Sequence, residues 1–211
     1  MPFVVAKTAQ TLDGKIATLS GESKWITSQK SRDFARGLRF SFDAIAVGVN
    51  TVLKDDPALT STPAKHLKKI IFDSELKTPA HAKLFKGTHR EDVIIFTTKK
   101  VSVWKIQALN RKAEVIAVPA KGGRVDLRQA LKILGRRQIT AILVEGGAAL
   151  VGGALKEGMV DKMMLYVAPK IMGEGLSSAR GLHFKKLSQS IVLKDTAVGR
   201  IGEDIFIEGY L

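Results

Sequence analysis

The chain has 211 residues, 45% of them hydrophobic, which is enough apolar material for a substantial core and excludes a disordered chain. It has no cysteine, which removes disulfides, thiolate nucleophiles and cysteine-based zinc sites and suits a reducing cytoplasm. A net charge of +14 fits polyanionic partners, but the basic residues are dispersed and aromatics reach only 6%, so a nucleic-acid-binding module is the less favoured reading beside small phosphates.

In chain order, the first residues, Met1-Pro-Phe-Val-Val-Ala-Lys7, lack the apolar core of a signal peptide, and no run reaches membrane-spanning length. Residues 3–6 begin a series of short apolar runs that continues at 44–49, 69–72, 93–96, 115–118, 141–144 and 163–168, all read as strands. Between the first two, Thr27 or Ser28 caps a predicted helix reaching about Phe40, with Phe34 and Leu38 on one face and Arg32, Arg36 and Arg39 around the rest. Further helices are predicted over 126–134 and 148–156. Strands alternating with helices predict an α/β fold. The C-terminal runs 191–193 and 204–207, separated by Gly199 and Gly202, predict a closing antiparallel hairpin. No linker or repeat interrupts the chain, so a single domain over 1–211 is expected. His66, His81, His89 and His183 are scattered, and no metal site is expected.

One stretch carries more information than the rest: Ile142-Leu-Val-Glu-Gly-Gly-Ala-Ala-Leu-Val-Gly-Gly-Ala-Leu155 runs from a strand through one acid and paired glycines into a helix. Gly146 and Gly147 let backbone approach a bulky group, and a helix start offers unpaired N–H groups and a positive dipole end to phosphate oxygens. The alternative is that the glycines serve only the turn. Gly153 stands where a P-loop has its lysine, and Gly173-Glu-Gly175 lacks a third glycine at Ser178, so neither a nucleotide-hydrolysing loop nor a Rossmann fingerprint is present.

Five segments together resemble one family: Lys7-Thr-Ala-Gln-Thr-Leu-Asp-Gly-Lys15, Gly21-Glu-Ser-Lys-Trp-Ile-Thr27, Val47-Gly-Val-Asn-Thr-Val-Leu-Lys-Asp-Asp-Pro57, Val144-Glu-Gly-Gly147 and Tyr166-Val-Ala-Pro-Lys-Ile-Met-Gly173. In order and spacing they are similar to the reductase domain of the bacterial bifunctional riboflavin-biosynthesis deaminase/reductase, from about Pro2 to Gly173 and more loosely to Ile207. The resemblance implies a dihydrofolate-reductase-like fold, with a mostly parallel central sheet flanked by helices and antiparallel C-terminal strands. It also implies a homodimer and NADPH-dependent reduction of 5-amino-6-(5-phosphoribosylamino)uracil, a pyrimidine ribosyl phosphate, to its ribitylamino product.

Residue by residue, the resemblance assigns Ala9, Trp25, Thr51, Asp55 and Ser74 to NADPH, together with Gly147, Ala148, Ala149, Leu150, Val151, Gly152 and Gly153 for its phosphates. It assigns Ser23, Arg39, Leu59 and Glu145 to substrate, and makes Lys7 and Glu145 the catalytic candidates, Lys7 to activate or protonate the sugar and Glu145 to orient the pyrimidine or the lysine. Local readings stand beside these: Trp25 as a core aromatic, Arg39 as a solvated helix arginine, Lys7 as an edge-strand lysine. Asp55-Asp56-Pro57 reads as a turn, and Asp13 before Gly14 as a structural turn residue.

Two features depart from the family pattern. Thr62 stands where an arginine usually holds the substrate phosphate, and Lys65, Lys68 or Lys69 is the expected substitute charge. The zinc deaminase half that usually precedes this reductase is not in the sequence, so either a stand-alone reductase fed by a separate deaminase or an excised half is expected. The nearest rival substrate is the undeaminated 2,5-diamino-pyrimidinone analogue, on which stand-alone reductases of the superfamily act.

Overall fold

The computed structural model describes residues 1–61, 63–64 and 66–211. In chain order its main elements are β1 (Phe3–Thr11), β2 (Lys15–Ala17), α1 (Gln29–Leu38), β3 (Ala44–Gly48), α2 (Val49–Asp55), β4 (Lys68–Phe72), β5 (Val93–Thr98), α3 (Val103–Leu109) and β6 (Glu114–Val118). There follow β7 (Ala120–Lys121), β8 (Arg124–Val125), α4 (Leu127–Arg136), β9 (Ala141–Val144), α5 (Ala148–Lys156), β10 (Lys162–Ala168), β11 (Leu176–Ser177), β12 (Lys194–Ile201) and β13 (Asp204–Tyr210). The α/β class is the expected one, with long strands paired largely in parallel and antiparallel strands at the C-terminus. Thr62 and Lys65 lie outside the described residues. The chain divides into two compact units, each assembled from two stretches of sequence.

The first unit comprises Met1–Phe3 and Leu38–Leu143. Its strands run in the order β9-β3-β4-β5-β6. Ala46 stands opposite Ile70, Ile70 opposite Ile94 and Ile95 opposite Val115, all in parallel ladders. Strand β5 is buried at every position, which is why it reads as an unbroken apolar run rather than an alternating one. Ile45, Val47, Ile71, Leu84 and Ile95 form the centre of an apolar cluster, each worth about 1.5–3 kcal/mol of burial. Polar clasps secure the strand starts: Asp43 accepts from the Thr140 amide (2.8 Å), the Thr140 hydroxyl (2.6 Å) and the Ala141 amide (3.0 Å). Asp126 caps α4 by accepting from the Gln129 amide at 3.0 Å, and the helix runs past Leu134 to Arg136. The turn expected at residues 55–57 gives way to a helix end: Asp55 is the last residue of α2, which is too short to display an amphipathic period and is closed by Asp56 at φ 42°.

The second unit comprises Val4–Gly37 and Val144–Leu211. Its strand order is β12-β13-β10-β1, with β1 and β10 parallel and the other pairs antiparallel. Ser28 is the cap of α1: its Oγ accepts from the Ser31 amide at 3.3 Å and donates to Asp204 Oδ2 at 2.7 Å, which also accepts from the Ser28 amide at 2.8 Å. The C-terminal hairpin departs from expectation. Its first strand is residues 194–201 rather than 191–193, and Gly199 lies inside it. The pair Ile201↔Asp204 leaves Gly202 and Glu203 as a two-residue turn, with Gly202 at φ 64°. That turn sets the register, so the apolar run before it has no partner strand and Val192 is left exposed.

Candidate active site

Strand pairing in the second unit gathers side chains that are far apart in sequence. Lys7 stands opposite Met164, Ala9 opposite Tyr166, Met164 opposite Glu208 and Tyr166 opposite Phe206. Paired residues share a face and so do residues two apart, so Lys7, Ala9, Tyr166, Phe206 and Glu208 all project from one side of the sheet. Lys7 is half-buried, its ammonium 5.4 Å from the centroid of the Tyr166 ring. Such a cation over an aromatic face is stabilised by the ring quadrupole. Tyr166 is only 1% exposed and packs edge-on against Phe206, with centroids 5.1 Å apart, and against Phe34 at 6.4 Å. Burial, reinforced by the negative charges of Glu145 and Glu208, pushes its phenol pKa above the usual tyrosine value. The phenol therefore stays protonated, and its hydroxyl has no hydrogen-bond partner among the described residues. Glu145, half-buried at the end of β9, supplies one of those charges.

Beyond Glu145 the chain makes a turn that glycine alone adopts easily. Gly146 has φ 153° and Gly147 φ 81°, and α5 starts at Ala148 with no side-chain cap. The first amides of α5 therefore have no side-chain cap and no intrahelical acceptor, a donor set that fits a dinucleotide pyrophosphate. Leu150 and Val151 are buried, so what this segment offers a phosphate is the backbone around Gly147, Ala148 and Ala149. Gly152 has a separate reason for being glycine. A Cβ there would lie 2.1 Å from the Arg180 carbonyl oxygen, and the Arg180 amide donates to Ala148 O at 3.0 Å. Gly153 is half-buried one residue further on.

Trp25 is 62% exposed, which overturns its reading as a core aromatic. The Arg32 guanidinium lies 4.2 Å from its ring centroid, and the Lys170 ammonium donates to the carbonyls of Trp25 (3.1 Å) and Ile26 (2.9 Å). The indole is therefore presented on an anchored loop, with half-buried Ser23 two residues before it. Asp13 is structural, as expected. It accepts from the Thr11 hydroxyl at 2.5 Å and from the amides of Met172 and Gly173, bonds that lower its pKa to about 2.

The remaining assigned residues belong to the first unit. Arg39 is half-buried and donates to Thr60 O at 2.5 Å, so it braces the loop carrying Leu59 instead of standing free in solvent. Leu59 is 3% exposed at φ 53°, which leaves its backbone as the group to meet a ligand. Thr51 and Asp55 lie one helical turn apart on α2, the first half-buried and the second exposed. Ser74 follows β4, its hydroxyl accepting from the Val125 amide at 3.0 Å. Of the lysines considered as a substitute phosphate charge, Lys68 is paired with Asp92 at 2.8 Å. Lys69 is buried, donating to Leu84 O and Thr88 Oγ1 at 2.7 Å each, and burial lowers its pKa. Neither is a free phosphate ligand. Tyr166 and Glu208 are the site residues that the sequence reading did not assign. Tyr166 opens a motif segment, but only the β1–β10 register places it beside Lys7.

The family model described as "RibD C-terminal domain" matches residues 2–207. The riboflavin biosynthesis protein RibD of Aquifex aeolicus is 41% identical over 209 residues, a match covering 98% of this chain and 57% of that protein. The 2,5-diamino-6-ribosylamino-4(3H)-pyrimidinone 5′-phosphate reductase of Methanothermobacter thermautotrophicus is 31% identical over 214 residues, covering 98% of this chain and 97% of that protein. Among solved structures, form 2 of Acinetobacter baumannii RibD matches with a TM-score of 0.85 at 26% identity, over 100% of this chain and 58% of that one. The chain thus spans little more than half the length of the RibD proteins it matches.

Proposed function

The chain belongs to the RibD C-terminal domain family, and from that premise we propose that residues 1–211 act as one reductase domain that uses NADPH to reduce 5-amino-6-(5-phosphoribosylamino)uracil at the ribosyl C1′. The observation that carries the chemistry is Lys7, half-buried over the Tyr166 ring on the face it shares with Ala9. Reduction requires the ribosylamine to open to its imine, C1′ to accept a hydride and the attached nitrogen to accept a proton, leaving a CH2–NH linkage. NADPH, when bound, supplies the hydride. Lys7 holds an ammonium proton for the imine nitrogen or the opening ring oxygen. Glu145, with its charge at the same cluster, orients the pyrimidine or Lys7, and the protonated Tyr166 hydroxyl keeps a hydrogen bond to give.

In this reading the turn at Gly146 and Gly147 and the first amides of α5 hold the cofactor pyrophosphate, and Ala9, Trp25, Thr51, Asp55 and Ser74 complete its shell. Ser23, Leu59 and Arg39 serve the substrate, Arg39 through its planar fork toward phosphate. A homodimer belongs to the same proposal. Strand β12 lies at a sheet edge and is exposed along nearly its whole length, with Val198 at 71%, a surface that a second copy would cover. Among the described residues no helix is long and apolar enough to cross a membrane, and cytoplasmic residence with substrate from a separate deaminase completes the proposal. A second reading, the undeaminated 2,5-diamino-pyrimidinone substrate, is favoured by the Methanothermobacter relative, which this chain covers almost end to end.

The deciding experiment follows loss of reduced-nicotinamide absorbance with the two pyrimidines offered separately. Turnover of the uracil in preference supports the first reading, preference for the diamino compound supports the second, and oxidation with neither overturns both. Lys7→Ala is expected to lower kcat by about 10²- to 10⁴-fold while NADPH affinity stays within a few-fold. A variant that loses its far-ultraviolet circular dichroism would instead show that Lys7 is structural.

A further inference from the structure

Two lysines rise from one face of the second unit's sheet and are held differently. Lys162 stands opposite Tyr210, Lys7 stands opposite Met164, and Met164 stands opposite Glu208 on its other side, so all five residues project the same way. Each ammonium lies over a phenol ring, Lys162 at 5.1 Å from the Tyr210 centroid and Lys7 at 5.4 Å from that of Tyr166, within the ~6 Å reach of a cation–π contact. Lys162 is also paired with Glu208 at 2.9 Å. The Lys7 ammonium makes no hydrogen bond or ion pair among the described residues, and the ring is what holds it.

The difference bears on proton transfer. A carboxylate takes up N–H donors, whereas an aromatic face attracts an ammonium through its quadrupole and leaves the N–H groups to a ligand. Glu208, the acid in the same row of the sheet as Lys7, is already neutralised by Lys162. The two rings differ as well. Tyr210 is 43% exposed, but Tyr166 is 1% exposed and wedged by Phe206 at 5.1 Å and Phe34 at 6.4 Å, and those two rings lie 6.1 Å apart. The Tyr166 hydroxyl has no partner among the described residues, so ring packing rather than a hydrogen bond fixes its place.

We infer that Tyr166 is a positioning residue: clamped by Phe206 and Phe34, its ring face holds the Lys7 ammonium in place for protonating the ribosylamine while leaving its N–H donors free for that step. The inference rests on the reductase reading above and acts through Lys7 alone. A lysine stem has four rotatable carbons, and without the ring its ammonium spreads over many rotamers. Misplacing a reacting group by ~1 Å can cost about 10²-fold in rate, so the effect falls on kcat and not on cofactor binding.

The test compares the whole wild-type chain with Tyr166→Phe, which keeps the ring, and Tyr166→Leu, which removes it. With NADPH and the pyrimidine that wild type reduces, Tyr166→Phe is expected to keep kcat within about 3-fold. Tyr166→Leu should lower kcat about 10- to 100-fold, with NADPH affinity and the KM for the pyrimidine within a few-fold. In proton–carbon correlation spectra of the ligand-free protein, the Lys7 ε-methylene protons, assigned by their loss in Lys7→Arg, should carry an upfield ring-current shift in wild type and Tyr166→Phe and lose it in Tyr166→Leu. Tyr166→Phe as slow as Tyr166→Leu, Tyr166→Leu with its kcat intact, or a wild-type Lys7 signal without the ring shift overturns the inference and leaves the reductase reading standing. Should Tyr166→Leu fail to fold, Phe206→Leu takes its place: it removes the edge-on neighbour of Tyr166 and is expected to lower kcat about 3- to 10-fold, an unchanged kcat overturning the inference. If wild type reduces neither pyrimidine, the reading and the inference fail together.

Discussion

In the first unit, β5 is buried at every position and the cluster around Ile71 and Ile95 joins strands to helices through aliphatic contact. In the second unit, β12 is exposed from Lys194 to Arg200, and carboxylates bonded to backbone amides secure much of the architecture: Asp13 to Met172 and Gly173, Asp161 to Val4, Asp204 to Ser28. Dispersed apolar contact tolerates chemical variation of similar volume, whereas an amide clasp depends on one oxygen in one place. The first unit has such clasps too, at Asp43 and Asp73, beside its aliphatic cluster; in the unit carrying Lys7, Glu145 and the glycine turn, clasped points of this kind set the position of catalytic groups.

Substitutions can break or sharpen this contrast. The largest effect is expected from Ile71→Ala, which removes a fully buried side chain from the apolar cluster and should cost about 2–5 kcal/mol in denaturant titration. A loss below about 1 kcal/mol would mean that the cluster collapses into the gap. Gly152→Ala in the second unit is next, at about 3 kcal/mol, because its Cβ meets the Arg180 carbonyl. Limited proteolysis should then cut near Arg180 first, and an unaltered digestion pattern would count against the close approach. Asp204→Ala should cost about 1–3 kcal/mol by leaving the Ser28 amide and hydroxyl without their shared acceptor, measured as a fall in Tm.

The smallest effect is the pH dependence at Asp13. Its folded pKa is lowered from the ordinary aspartate value of 3.8 to about 2, chiefly by the Thr11 hydroxyl and then by the Met172 and Gly173 amides. A depressed carboxylate stabilises the fold fully above the unfolded pKa, near 4, and that contribution is lost as pH falls through about 2. The Tm gap between wild type and Asp13→Asn should therefore be widest above about pH 4 and shrink toward pH 2. A gap that does not change with pH would remove the carboxylate charge from the account.

Much of the first unit was legible from the sequence because its signal is local. Runs such as Ile94-Ile95-Phe96 are apolar at consecutive positions, as strands covered on both faces require, and Asp126 announces α4 by its own side chain. The Gly146-Gly147 turn into α5 was legible for the same reason, because the requirement for positive φ is written in the residue itself. Helix α2 was missed because seven residues do not reveal a helical period.

By itself, then, the sequence determined the α/β class, the strand-to-helix turn with its uncapped helix start, and the residue types available for proton and phosphate chemistry. Tertiary structure alone decided where β12 begins, why Gly152 cannot be larger, that Trp25 faces outward, and that Lys7 lies over Tyr166 while Thr98 clasps Ser74. The physical reason is range. Capping, turn chemistry and burial pattern act within a few residues, whereas β-pairing joins positions such as Ala9 and Tyr166, and its register decides which side chains share a face.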